Sequence, residues 1–242
     1  MPPAKVKRFY TSAAAIKAEG GYHVALDGKP VRTPGGKTVL LQHRALAEAL
    51  AGEWDSQKSE IDLSRMGLHQ LVASALDRGK NEQDAIADEL AAYGATDLLC
   101  YRADGPEALA ARQAAAWDPL LDWAAARFGA RLKITSGVIA VAQDAAVLSA
   151  LRDRIARLNP LQLSALRVAV GIGGSLIVGL ALAEGRLDAA QAWGIVNVDE
   201  DWQREKWGED AQAAANRADA YAAFCHAVEM LGLLQVLESD AF

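Results

Sequence analysis

The hydrophobic pattern of the chain changes from short β-prone runs to a helical period near residue 42. Before that point, glycine, proline and aspartate separate the runs, and Asp27-Gly28 is a strong signal for a two-residue β-hairpin. Beyond it, apolar residues recur every three or four positions, as Leu46, Leu50 and Trp54 do. The pattern predicts an α+β protein, with a small N-terminal antiparallel β module of about four strands followed by a larger, mostly α-helical domain.

We place the domain division between residues 58 and 59. Residues 1–58 then hold the β module with a following helix, and residues 59–242 form the helical domain. Trp54 is expected to dock that first helix onto its neighbours. Asn81 is a plausible N-cap, and Pro119 is expected to kink or restart its helix. The predicted helices are 45–57, 66–78, 82–94, one from about 106 to 129, 144–158, 161–183, 193–207 and 209–237.

The stretch from Trp193 to Asp210 has the most unusual composition. It carries three of the six tryptophans among six carboxylates and only two basic residues. On one continuous helix, Glu200 shares a stripe with Trp193, Val196, Gln203 and Trp207. This predicts that Glu200 is a costly carboxylate on the packing face. The alternative is an ordinary solvated face with i,i+4 pairs, so that the tryptophans serve the core.

Composition excludes several partners and compartments. A net charge of −6 and a pI near 5.3 argue against nucleic acid and anionic membranes. The two cysteines, Cys100 and Cys225, indicate a reducing compartment. The N-terminus lacks a secretory pattern, and the uncharged run 168–183 is too short to cross a bilayer. A cytoplasmic protein is expected.

Candidate chemistry is sparse. The four histidines have no metal-ligand spacing, which predicts no metal site. The glycine run at 171–175 lacks the lysine and hydroxyl residue of a phosphate loop, so neither nucleotide nor other cofactor is expected. No nucleophile or electrophilic partner completes a catalytic set around Glu200. Two alternatives stay open: a small soluble enzyme using a buried Glu200 as general base, and a structural subunit with a permanent self-interface.

Several segments, taken together, resemble the F-type ATP synthase assembly chaperone family, whose members bind the free alpha subunit of the catalytic head. They run in the family's order across nearly the whole chain. One departure is Gly67 after Met66, where the family usually has proline. The matching segments are RFY (8–10), VALDGKPVRTP (24–34), EWDSQ (53–57), TDLLCYRA (96–103), QAAAWDPLLDWAAARFGARL (113–132), GSLIVGLALAEGRLDAAQAW (174–193) and DEDWQREKWGED (199–210).

The resemblance implies a bacterial chaperone without enzymatic activity. It would hold the unassembled alpha subunit and shield its assembly surface from aggregation until the subunit pairs with beta. We expect Trp202 and Trp207 to act as aromatic anchors, and the acids to supply orientation and association rate. We expect the loss of Glu200 to be the most damaging. The candidate partner-binding residues are Glu200, Asp201, Trp202, Gln203, Trp207, Glu209, Asp210 and, on the β module, Arg32.

Overall fold

The computed structural model describes residues 6–79, 82–137 and 139–239. Antiparallel strands come first along the chain and a mostly helical part follows, so the predicted α+β architecture is confirmed. Asn81, the predicted N-cap of the third helix, lies outside the described residues. The division between residues 58 and 59 stays a prediction.

The N-terminal sheet is built around a six-residue hairpin pair. Strand β3 lies between β2 and β4 and also pairs with β5, and every pairing is antiparallel. Asp27 and Gly28 both have positive φ, 47° and 81°, as a type I′ turn between β3 and β4 requires. A separate pair joins β1 to β6. The strands are β1 Val6–Lys7, β2 Ala13–Ala18, β3 Gly21–Leu26, β4 Lys29–Pro30, β5 Leu40–Leu41 and β6 Glu60–Ile61.

The first helix, α1 (Arg44–Asp55), connects the sheet to the helical part. It packs against β2 and β3 on one side and against two later helices on the other. Trp54, 7% exposed, makes edge-to-face contacts with Tyr10 and His69, at ring-centroid distances of 5.9 and 5.0 Å. The predicted docking role of Trp54 is therefore confirmed, since its indole contacts both parts of the chain.

The helical part contains nine further α-helices among the described residues. Pro119 lies inside one continuous helix, α4, so the helix does not restart there. A two-residue parallel pair joins β7 (Tyr101–Arg102) to β8 (Thr135–Ser136). No helix within the described ranges is long and apolar enough to cross a membrane. The helices are α2 Gly67–Arg78, α3 Gln83–Tyr93, α4 Glu107–Phe128, α5 Ala145–Ile155, α6 Pro160–Gly173, α7 Leu176–Ala183, α8 Ala189–Val196, α9 Val198–Trp207 and α10 Ala211–Ser239.

The predicted single helix 161–183 is wrong, because the chain breaks between α6 and α7. Gly174 has φ of 67° and ends α6, and the Ser175 hydroxyl accepts a hydrogen bond from the Val178 N–H to begin α7. Asp97 lies against this break, fully buried. Its carboxylate accepts from the Ser175 hydroxyl at 2.8 Å and from the N–H groups of Leu99 and Ile177 at 3.0 and 3.1 Å.

Candidate functional site

The tryptophan-rich stretch forms two helices, α8 and α9, where a single one was predicted. Asn197 separates them with non-helical backbone (φ −106°, ψ 21°). Its backbone N–H and side-chain amide both donate to the Trp193 carbonyl, at 3.1 and 2.9 Å. A side chain that can satisfy a terminal carbonyl favours a helix end at that position. The break means that helical spacing does not place Trp193 and Glu200 on one face.

Trp193 and Val196, which precede the helix break at Asn197, face the interior of the protein. Trp193 is half-buried, and its ring centroid lies 5.0 Å from that of Tyr221 and 5.5 Å from that of Phe224 on α10. Val196 is buried, and a Cβ placed on Gly173 of α6 would lie 3.2 Å from the Val196 Cγ1 atom. One face of α8 therefore packs into the core, against α6 and α10.

The inner face of α9 is held by α4. Val198 is buried, and the Asp199 carboxylate accepts a 2.7 Å hydrogen bond from Gln113, whose side chain is 1% exposed. Further along, Glu205 forms an ion pair with Arg112 at 2.8 Å. These contacts orient α9, because all of them come from the side of the helix that faces α4.

The outer face of α9, defined here as Glu200, Gln203 and Trp207, is exposed to solvent. These residues are spaced i, i+3 and i+7, so they lie within about 60° of one another on the helix. The Trp207 side chain is 78% exposed. The prediction that this stripe is a packing face is wrong. Glu200 is consequently not a buried carboxylate, and the alternative of a buried general base at this position is wrong as well.

Trp202 lies by helical spacing on the same side of α9 as Val198 and Asp199, away from the outer face. It is half-buried, and the Lys206 ammonium lies 4.9 Å from the centre of its ring. This is the distance of a cation–π contact, which holds both side chains against the helix surface. Trp202 therefore differs from Trp207 because part of its surface is already covered within this chain.

The three other acids of the predicted site have partners within the protein. Asp201 lies 3.0 Å from Arg204 and 3.9 Å from Arg217, and Arg217 also pairs with Glu209 at 3.2 Å. Asp210 caps α10, because its carboxylate accepts hydrogen bonds from two backbone N–H groups at 2.9 Å. These acids fix the hairpin between α9 and α10.

Arg32 lies apart from the α9 residues, on the exposed side of the β module. Its guanidinium donates a 2.9 Å hydrogen bond to the Gly36 carbonyl, and its backbone bridges to Thr38. Among the described residues, neither its side-chain hydrogen bond nor its backbone bridge is to α9. The structure therefore brings together seven of the eight candidate residues and leaves Arg32 separate.

Sequence reasoning missed the residues that position α9. Gln113 and Arg112 lie 86 and 93 positions before their partners on α9, and Arg217 lies on the next helix. One signal was present: Gln113 is a polar residue four positions before Trp117 on the same helical face. The Trp117 indole N–H donates to the Ile195 carbonyl at 2.8 Å, so this face of α4 supports both α8 and α9.

A groove of about 890 Å³ lies elsewhere, between α2, α6 and α10, and no α9 residue lines it. General-base catalysis at Glu200 would need a pocket with convergent polar groups. The outer face of α9 instead presents an exposed indole beside polar and acidic groups on a helix that is fixed from behind.

Comparisons with known proteins show which family the chain is similar to. A family model described as ATP12 chaperone protein matches residues 7–125. The protein atp12, mitochondrial, of Schizosaccharomyces pombe is 26% identical over 230 residues, which cover 89% of this chain and 79% of that protein. Two solved structures of Atp12 from Paracoccus denitrificans, one of them a mutant, match with a TM-score of 0.88 at 45% identity. They cover 94% of this chain and 97% and 98% of their own chains.

Proposed function

Because the chain belongs to the ATP12 chaperone family, we propose that it is an assembly chaperone for the catalytic head of the F-type ATP synthase. Its client is the unassembled alpha subunit, which it holds until that subunit pairs with beta. The chaperone acts by contact and without catalysis. The observation that carries the proposal is the outer face of α9, which presents Trp207, 78% exposed, on a helix anchored to α4.

The chemistry of this face suits a transient interface. Tryptophan is enriched among the residues that dominate binding energy, because a rigid indole covers a large area with few rotatable bonds. Glu200 and Gln203 lie within a turn of Trp207 and form a polar rim on one side. Charges at such a rim steer association and orient the client, while the indole supplies most of the affinity.

The three other acids of the site contribute indirectly. Asp201 and Glu209 both approach Arg217 of α10, and Asp210 caps that helix. Together they hold the α9–α10 hairpin in one geometry, so that the outer face is ordered before the client arrives. Such preorganisation improves affinity because less freedom is lost on binding.

The experiment is a binding measurement with purified ATP synthase alpha subunit. We expect wild type to bind it and Glu200→Lys to bind at least about tenfold more weakly, with an unchanged melting temperature. Glu19→Lys is the matched control, because Glu19 is an exposed acid in the turn between β2 and β3. Failure of wild type to bind the alpha subunit would refute the client, and equal losses in both variants would refute the site.

A further inference from the structure

One buried amide lies behind the outer face of α9. The side chain of Gln113 on α4 is 1% exposed, and both ends of its amide group have partners. Its nitrogen donates to the Asp199 carboxylate at 2.7 Å, and its oxygen accepts from the Ala103 N–H at 2.8 Å. Gln113 therefore connects three segments, which are the turn after β7, α4 and the first turn of α9.

The two partners leave this amide only one orientation. A backbone N–H can only donate, so the oxygen of Gln113 faces Ala103. The nitrogen then faces Asp199, and an ionised carboxylate can only accept. Position 113 therefore requires an acceptor at one end and a donor at the other. Glutamine supplies both groups, whereas methionine and an ionised glutamate, which have nearly the same length, do not.

The bond to Asp199 differs from the other polar link between α4 and α9. In that link, Arg112 and Glu205 are 38% and 53% exposed, and exposed ion pairs contribute little. The Gln113 amide is buried and its acceptor is a carboxylate, and hydrogen bonds to charged groups are shorter and stronger than neutral ones. Breaking it removes the donor that faces the half-buried Asp199 side chain, which is costly for a partly desolvated group.

The turn that holds the other end of the amide is itself attached to α4. Arg102, which directly precedes Ala103, is 9% exposed. Its guanidinium pairs with Asp118 at 2.6 Å and lies 5.1 Å from the centre of the Trp117 ring, and both of these residues are on α4. The turn and α4 therefore form one support for the Gln113 amide.

Few buried contacts fix the direction of α9. The helix has ten residues and begins at the Asn197 break, and among its residues Val198 alone is buried. Asp199 lies in its first turn, directly before Glu200. A shift of this turn therefore moves the whole outer face, because all three of its residues belong to the same short helix.

We infer that Gln113 is the positioning residue of the outer face of α9. Its amide holds Asp199 at a fixed distance from the turn after β7, and thereby presents the outer face in the orientation that the client binds. Gln113 acts through Asp199 and does not touch the client, since its side chain is buried. The inference rests on the proposed function and adds to it a requirement for the polarity of one buried hydrogen bond.

The first test removes the amide and keeps the length of the side chain. We expect Gln113→Met to bind purified ATP synthase alpha subunit at least about fivefold more weakly than wild type, because the outer face is no longer preorganised. Gln83→Met is the matched control, since the Gln83 amide also makes a long-range hydrogen bond, to the Leu158 carbonyl at 2.8 Å, which joins α3 to the turn before α6. This control should bind within about twofold of wild type. Equal affinities of the two methionine variants would overturn the proposal.

The second test exchanges the donor and the acceptor. Gln113→Glu alone places two carboxylates at hydrogen-bond distance, so we expect at least about tenfold weaker binding at neutral pH. Gln113→Glu/Asp199→Asn restores one donor and one acceptor with two isosteric replacements, and it should bind within about threefold of wild type. A role in packing alone would not produce this rescue, because neither replacement changes the volume of the side chain. A double variant that binds no better than Gln113→Glu would show that the hydrogen bond does not position α9.

Hydrogen exchange tests the position of α9 without the client. The backbone amides of residues 201–207 should exchange faster in Gln113→Met than in wild type, and at the wild-type rate in the double variant. The buried helix α7 serves as the internal reference. If wild type does not bind the alpha subunit while α9 follows this pattern, the proposed function fails and the positioning role of Gln113 stands. If the amides of α9 exchange alike in all of these proteins, the positioning role is wrong, whatever the client binds.

Discussion

Helices α7 and α9 are both short and lie close together in the sequence, but α7 is buried and α9 is largely exposed to solvent. All eight residues of α7 are buried, whereas among the ten residues of α9 only Val198 is. A carboxylate lies at the start of each helix. Asp97, from a segment about 80 residues earlier, accepts hydrogen bonds at the start of α7 and is buried, while Glu200 belongs to α9 itself and faces outward. A buried, hydrogen-bonded carboxylate contributes to folding, whereas an exposed carboxylate is available to a partner.

Glu200 was expected to be a costly buried carboxylate. In the structure, that description fits Asp97 instead. A buried carboxylate is costly unless it is hydrogen-bonded, and this chain contains a buried, hydrogen-bonded one at Asp97. Burial raises the pKa of Asp97 to about 6, although the N–H groups of Ile177 and Leu99 and the Ser175 hydroxyl act in the other direction. The buried carboxylate of this chain is therefore Asp97 and not Glu200.

The largest loss of stability is expected from removing the buried carboxylate of Asp97. Asp97→Ala leaves the donors of Ser175, Leu99 and Ile177 without their acceptor, at about 1–3 kcal/mol for each buried group. We expect a loss of about 3–5 kcal/mol in the free energy of unfolding, measured by urea denaturation. Asp122→Ala is the control, since Asp122 is 71% exposed. A loss below 1 kcal/mol in Asp97→Ala would show that Asp97 does not support α7.

The titration of Asp97 gives the next largest effect. Its folded-state pKa of about 6 lies above the ordinary value of 3.8, so the folded protein binds this proton more tightly than the unfolded chain does. This tighter proton binding stabilises the folded protein fully below pH 3.8, and the stabilisation is lost as the pH rises through about 6. The change in the free energy of unfolding is about 3 kcal/mol.

The measurement compares wild type with Asp97→Asn, which cannot titrate. The stability of wild type relative to this variant should fall between pH 4 and pH 6 and then stay level. A difference that is independent of pH would contradict the raised pKa. Using the difference removes the effects of the other carboxyl groups, which both proteins share.

Sequence reasoning worked where the pattern is local. The Asp27-Gly28 turn, the apolar face of α1 and the helical period of α2 all depend on neighbours within a few residues, and the structure confirms each. It failed at Gly174 and Asn197, where single residues break predicted helices. Both breaks are stabilised in part by contacts distant in sequence, such as those of Asp97 and Trp117, which periodicity does not reveal.

The departure at Gly67 also has a cause that is distant in sequence. A Cβ at Gly67 would lie 2.2 Å from the Nδ1 atom of His226 on α10. A proline ring in this position would collide with that imidazole unless the side chain moved. The resemblance to the family identifies Gly67 as a departure. The packing of α10 on α2 gives a physical reason for glycine at this position.

A smaller effect is expected at the hairpin between α9 and α10. Asp201→Ala removes the carboxylate that lies 3.0 Å from Arg204 and 3.9 Å from Arg217, with 21% of its side chain exposed. We expect a loss of about 1 kcal/mol in stability, because a partly exposed pair in the first turn of a helix contributes modestly. Thermal unfolding checks this against Asp84→Ala, whose carboxylate also lies 3.9 Å from an arginine but is 88% exposed. Equal losses in both variants would mean that Arg217 does not hold α9 in place.

The smallest effect on stability is expected at Trp207. This residue also gives the most direct test of the comparison between a buried helix and an exposed one. Because its side chain is 78% exposed, Trp207→Ala should change the free energy of unfolding by no more than about 0.5 kcal/mol. Trp193→Ala, on the other side of the Asn197 break, should cost about 3 kcal/mol, because it removes contacts with Tyr221 and Phe224. Binding to purified ATP synthase alpha subunit should respond in the opposite order, with a loss of tenfold or more for Trp207→Ala. If Trp207→Ala binds normally, the exposed indole is ordinary surface and the division between a folding helix and a binding helix fails.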